Sequence, residues 1–115
     1  MSAAAEGARA EDLAAAHLSA RGLALVERNF RCRMGEIDLI LRDGDTLVFA
    51  EVRMRRSANF GGAAASITPA KQARIVAAAR YFLSGKAECA CRFDVVLLDR
   101  LAPDAVEWIK DAFSE

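Results

Sequence analysis

The stretch Gly35-Glu-Ile-Asp-Leu-Ile-Leu-Arg42, Asp43-Gly-Asp45, Thr46-Leu-Val-Phe-Ala-Glu-Val-Arg53 decides the fold. Its first part alternates with period two, the mark of a strand. Ile37, Leu39 and Leu41 fall on one face; Glu36, Asp38, Ile40 and Arg42 fall on the other. Thr46 to Arg53, rich in Val and Phe, reads as the second strand of a hairpin. A two-residue Gly44-Asp45 loop, with Gly supplying a positive φ, pairs Asp43 with Thr46. Counting back sets Asp38 opposite Glu51 and Glu36 opposite Arg53. A turn centred on Asp43-Gly44 moves the pairing by two residues and keeps both faces. A one-residue slip would set Glu51 beside Ile37 and bury charge, so the pattern resists it.

Asp38 and Glu51 are therefore expected to point the same way from neighbouring strands. Directly opposite side chains have Cβ atoms about 4.5–5.5 Å apart, where like charges repel. A cation between the carboxylates removes the conflict, and a hard divalent ion such as Mg²⁺ takes carboxylate oxygens while keeping several waters. Arg53 lies two residues beyond Glu51 on the same face. The alternative is a solvated sheet surface with Glu36 paired to Arg53 and Glu51 to Arg42. Against it, Ile40, Leu47 and Phe49 share the charged face, which makes that face half apolar and suited to being covered.

The 115 residues suit one domain spanning 1–115, and 54% hydrophobic with 28% charged residues describes a globular chain with a sizeable core. Formal net charge is zero, so overall charge selects no partner. Its distribution is uneven. Arg53 to Lys86 holds seven Lys or Arg and no acid, whereas Ala87 to Glu115 holds seven acids and three bases. A basic middle suits phosphate binding; a solvated basic surface is the plainer reading. Cys32, Cys89 and Cys91 are odd in number and lack zinc-knuckle spacing, so reduced thiols in the cytoplasm are expected. Neither a signal peptide nor a membrane span is expected.

Residues 6–21 read as a helix, with Ala10, Leu13, Ala14, His17 and Leu18 as its apolar stripe and Gly22 as its stop. His17 reads as a packed histidine rather than a ligand. Glu11 borders the stripe and can reach over the sheet; a solvated acid favoured by the helix dipole is the alternative. Leu23 to Arg33 is expected as the first strand, with Met34-Gly35 as the turn into the hairpin. The stretch after Arg53 is expected as a loop. Phe60-Gly61-Gly62 within it lacks the Lys-Ser/Thr of a phosphate-binding loop. Thr68-Pro69 is a helix start, Thr as N-cap and Pro at the first position. That helix runs to about Ser84 and buries Ile75, Val76, Ala79, Phe82 and Leu83, while Lys71, Arg74 and Tyr81 share another side. A basic pair with an aromatic suits a nucleic-acid backbone, as it does a solvated face. Arg92 to Asp99 is expected as an inner strand, Ala105 to Ile109 as a short edge strand, and Asp111 to Phe113 as a tail. The order α-β-β-β-α-β-β describes an α/β (α+β) fold with helices packed on a mixed central sheet.

The strings Gly35-Glu-Ile-Asp-Leu-Ile40, Leu47-Val-Phe-Ala-Glu-Val-Arg53, Lys71-Gln-Ala-Arg74 and Arg92-Phe-Asp-Val95 resemble the YraN-like family of small bacterial proteins. That family is similar in pattern to the PD-(D/E)XK nuclease superfamily, which has a restriction-endonuclease-like α-β-β-β-α-β core and includes Holliday-junction resolvases. The resemblance spans Glu11 to Phe113. It implies a metal-dependent endonuclease acting on nucleic acid, structured or branched DNA in particular. Asp38 matches the metal-binding Asp of that superfamily and Glu51 the Glu of its Glu-x-Lys element, together holding Mg²⁺ or Mn²⁺. Glu11 matches the helical acid of resolvase-like members, and Lys71 and Arg74 match basic positions of the second helix. Arg53 stands where the superfamily has Lys, and Ala10 where the family often has Gly. Glu11, Asp38, Glu51 and Arg53 are thus the catalytic candidates, and Arg55, Arg56, Lys71 and Arg74 the nucleic-acid-binding candidates. A non-catalytic nucleic-acid-binding protein on the same fold is the alternative. A membrane partner is not expected, and a homodimer is left open.

Overall fold

In the computed structural model, residues 2–55 and 67–114 are described. Of the loop expected after Arg53, the part from Arg56 to Ser66, with Phe60-Gly61-Gly62, lies outside the described residues. The elements run α1 (Ala3–Ala20), β1 (Ala24–Cys32), β2 (Gly35–Asp43), β3 (Thr46–Met54), α2 (Pro69–Leu83), β4 (Cys91–Leu98), a 3₁₀ turn (Pro103–Ala105) and β5 (Val106–Phe113). This is the expected α-β-β-β-α-β-β order on one mixed sheet. The strands follow their chain order across the sheet, β1-β2-β3-β4-β5. Pairing is antiparallel except between β3 and β4, which are parallel. A parallel pair needs a crossover long enough to return the chain, and α2 lies within that connection.

Both faces of the sheet are covered. Ile40, Leu47, Phe49, Phe93, Val95 and Leu97 pack with the Ile75–Phe82 stripe of α2. Leu39, Leu41, Val48, Ala50, Val96 and Leu98 pack with Ala10, Leu13, Ala14 and Leu18 of α1. Burial on both sides accounts for the near-continuous apolar runs of β3 and β4. Ser2 caps α1, its side chain accepting from the Ala5 N–H at 3.1 Å, so this helix begins three residues before the expected start at residue 6. Thr68 caps α2 as expected, accepting from the Lys71 N–H at 3.1 Å. Among the described residues no helix is long and apolar enough to cross a membrane.

Three expectations need correction. Ile37 does not share a core with Leu39 and Leu41; it joins Ile40 on the α2 side. The strands turn at this point: Asn29, between the paired Arg28↔Leu39 and Phe30↔Ile37, has φ 54°. The turn from β1 to β2 is Arg33-Met34, and Gly35 already belongs to β2, paired with Cys32. Gly35 lies beneath α2, where a Cβ would sit 3.1 Å from the Arg74 carbonyl oxygen. Finally, Asp111 to Phe113 is no tail. β5 continues through Asp111, whose φ of 52° marks an irregularity, and Phe113 stacks on Phe93 at 5.2 Å.

Candidate metal and phosphate site

The β2–β3 ladder runs from Asp43↔Thr46 to Leu39↔Ala50. Beyond it the next residues in register are Asp38 and Glu51. Here a side chain takes over from the backbone: Asp38 Oδ2 accepts the Val52 N–H at 2.8 Å. Asp38 thus holds the fork between the strands and is itself held by it. Glu51, at the C-terminal part of β3, is only 4% exposed. The Asp38 carboxylate lies close enough to act on its charge.

This placement sets the charge state of Glu51. Burial, then the neighbouring Asp38 charge and the hydrogen bond to Asp38, push its pKa up to about 8, while Lys71 and Arg53 pull it down. Those cations stand at 3.7 Å (Lys71 Nζ) and 3.6 Å (Arg53 Nη1) from Glu51 Oε2. Two cations at that range do not offset the removal of a carboxylate from water beside a second carboxyl group. With its pKa at about 8, Glu51 is mainly protonated at neutral pH. Glu11 reaches the site from α1, on the other side of the sheet. Burial and the Asp38 charge raise its pKa; the Asn29 side chain and Arg28 lower it. Arg28 bridges Glu11 at 3.6 Å and Asp12 at 2.8 Å.

The structure brings Glu11, Asp38, Glu51, Arg53 and Lys71 into one neighbourhood. Arg74 lies one turn further along α2 and lines a cleft of about 310 Å³ with Arg31, Cys32, Gly35, Glu36 and Lys71. Lys71 thus belongs both to the carboxylate pair and to the cleft. Arg55 is not brought there. Its guanidinium pairs with Asp99 through Nε at 2.8 Å and Nη2 at 3.2 Å, and with Glu107 through Nη1 at 2.9 Å. Glu36 pairs with Arg31 across β1 at 3.1 Å.

Two groups escaped the sequence reading. Asn29, in a left-handed conformation within β1, has a side chain that lowers the pKa of Glu11. The available signal was an Asn, a residue that tolerates positive φ, inside a strand pattern. Asp94 is fully buried and accepts from Arg92 Nε at 3.0 Å, Trp108 Nε1 at 2.9 Å and the Asp111 N–H at 2.9 Å. Its signal was an acid inside an otherwise apolar inner strand. Arg92 also pairs with Asp43 at 3.0 Å, tying β4 to the hairpin end of β2.

The donor set suits a hard divalent cation in part. Among the described residues no group of three or more His, Cys, Asp or Glu side chains converges on one point. Two carboxyl groups do, and Mg²⁺ is held by one or two carboxylates plus waters and substrate phosphate. The buried Glu51 carboxyl beside the half-buried Asp38 fits that mode.

The sequence pattern of the uncharacterised protein family UPF0102 matches residues 10–98, which include Glu11, the fork and all of α2. The chain belongs to this family. The assignment fits the YraN-like resemblance of its motifs. Its relatives include a UPF0102 protein of Dechloromonas aromatica, 60% identical over 96% of this chain and 89% of its own length. A UPF0102 protein of Nitrosomonas europaea is 54% identical over 96% of this chain and 94% of its own length. A third, from Cupriavidus taiwanensis, is 59% identical over 95% and 82% respectively.

Proposed function

We propose that this UPF0102 protein is a metal-dependent endonuclease that hydrolyses phosphodiester bonds in nucleic acid, with structured or branched DNA as its substrate. The observation that carries the reading is the buried Glu51 carboxyl against Asp38 at the strand fork, with Lys71 and Arg53 beside it. Asp38 and Glu51 would hold Mg²⁺ or Mn²⁺, an ion that supplies positive charge at a scissile phosphate and acidifies bound water. As a ligand Glu51 would be held in its ionised form. Arg53 keeps its charge at every working pH and grips phosphate oxygens through its planar fork, so it acts as an electrostatic partner and not as a proton shuttle. Lys71 and Arg74 neutralise the backbone leading away from the site. Glu11, held by Asn29 and Arg28, faces Asp38 from α1 and serves as a further acid at the site.

A second reading is a nucleic-acid-binding protein without catalysis. Arg53 in the place of a lysine, and the convergence of two rather than three carboxyl groups, favour it. The test is Mg²⁺- or Mn²⁺-dependent cleavage of branched, flapped and linear DNA. The endonuclease reading predicts cleavage by the wild type that disappears in Asp38→Asn. Binding without cleavage in both proteins would select the second reading, and cleavage undiminished in Asp38→Asn would mean that another site is responsible.

A further inference from the structure

The cleft beside the carboxylate pair continues past Arg31 and Cys32 into a second depression of about 460 Å³, lined by those residues with Arg33, Met34 and Tyr81. Tyr81 is 53% exposed and Met34 40% exposed, at the far end of α2 and on the β1–β2 turn. An exposed aromatic ring is commonplace, but this one has a rigid backing. Its inner side lies against Phe30, ring centroids 6.4 Å apart, and Phe30 meets the core residue Phe82 edge-on at 5.2 Å. The outer side of the Tyr81 ring faces solvent on a platform fixed to the hydrophobic core.

The charge around the two depressions has one sign. Arg31, Arg33, Lys71 and Arg74 line them, against a single acid, Glu36, which is paired with Arg31. Among the described residues the ion pairs at this cleft are Arg31 with Glu36 and Lys71 with Glu51, and neither involves Arg33 or Arg74. Arg74 and Tyr81 are two helical turns apart and share a side of α2. From Lys71 to Tyr81 the helix rises about 15 Å, which is roughly four steps of a stacked strand. A line of cations ending on a backed aromatic ring is how proteins follow a single strand: the cations track phosphates and the ring stacks a base. Inside a duplex both faces of a base are already stacked, so the ring is suited to a base freed from the stack, as in a single strand.

We propose that this track binds a single-stranded segment of nucleic acid, with an unpaired base stacked on Tyr81 and the phosphates leading along Arg33, Arg31 and Arg74 towards Lys71. The proposal rests on the nucleic-acid reading of the Asp38–Glu51 site and narrows its substrate to one with an unpaired arm next to the bond that is cut.

The test is fluorescence anisotropy in EDTA, where cleavage plays no part, with the full chain, a labelled oligothymidylate of about sixteen nucleotides and a blunt duplex of the same length. Wild type should bind the single strand more tightly than the duplex. Tyr81→Ala should weaken single-strand binding by about 5- to 100-fold while leaving its salt dependence and the duplex affinity unchanged, and Tyr81→Phe should restore it. Arg33→Ala and Arg74→Ala should each flatten the salt slope by about one contact. Equal binding of strand and duplex with no effect of Tyr81→Ala would overturn the track and leave the nucleic-acid reading standing. Failure of wild type to bind either probe would overturn both.

Discussion

Glu51 is the residue whose chemistry departs furthest from that of a surface acid. The unfolded chain releases its proton near the ordinary value of 4.5, whereas the folded protein keeps it up to about 8. Below the lower value both states are protonated and the carboxyl costs nothing. Between the two, folding retains a proton that the unfolded chain has lost, so stability falls as pH rises, and the loss is complete above the folded value. Glu51→Gln keeps the shape of the protonated form. It is therefore expected to raise stability by on the order of 1–3 kcal/mol in the range about pH 8 to 9, with the gain fading towards about pH 4. Urea unfolding at several pH values measures this; a destabilised variant at alkaline pH would contradict the assigned charge state. Asp94 has the opposite character, a buried acid whose partners are all in place. Asp94→Ala leaves Arg92 with Asp43 as its ion-pair partner but strands the Trp108 indole and the Asp111 N–H, and is expected to cost about 3–5 kcal/mol in urea unfolding. The sequence exposed Asp38 and Glu51 because a hairpin of known turn type converts spacing into register. It did not expose Asp94 or Asn29, whose partners lie on other strands or on α1 and depend on tertiary packing.

At the level of elements, the site depends on how closely α2 approaches β2. Gly35 makes that approach possible, since any Cβ there meets the Arg74 carbonyl at 3.1 Å and the Arg74 Cβ at 3.2 Å. Gly35→Ala should lift the first turns of α2, lower stability by about 1–3 kcal/mol, and weaken the contact of Lys71 with Glu51. Thermal unfolding and a comparison of nucleic-acid affinity check both effects. Thr68→Ala removes only the cap and is expected to cost about 1 kcal/mol. Helix α2 was legible nearly to the residue, because Thr68, Pro69 and Gly85 are local signals. The outer strands were less so. β5 was read as ending at Ile109 because its continuation runs through Asp111 at positive φ, an irregularity that turn statistics do not announce. β1 is legible within a residue or so, but the left-handed Asn29 within it and the switch of Ile37 to the other core on the paired β2 are not.

On the scale of the whole molecule, the order of elements could be read from the sequence because each segment carries its own period and its own stops. The charge map could be read only in part. The basic middle of the chain divides in the fold: Lys71 and Arg74 face the cleft, whereas Arg55 is spent on Asp99 and Glu107. Replacing Lys71 and Arg74 together by Ala should flatten the log–log salt dependence of DNA binding by about two contacts, at about 0.9 each. Arg55→Ala should leave it unchanged, and a slope that responded to Arg55 alone would reverse this assignment. For catalysis, Arg53→Lys should alter the cleavage rate modestly and Arg53→Ala should lower it by about 10²–10³, as for removal of one electrostatic donor. A large gain in Arg53→Lys would mean that the position must pass a proton. The catalytic role proposed for these residues depends on one claim, that the carboxyl pair of half-buried Asp38 and buried Glu51 at the strand fork is a divalent-cation site. Crystals soaked in Mn²⁺ at about pH 8, where Glu51 can ionise, test it directly through anomalous density. The account predicts a peak between Asp38 and Glu51 that is lost in Asp38→Asn; crystals in which Mn²⁺ binds elsewhere but not between these residues would contradict it.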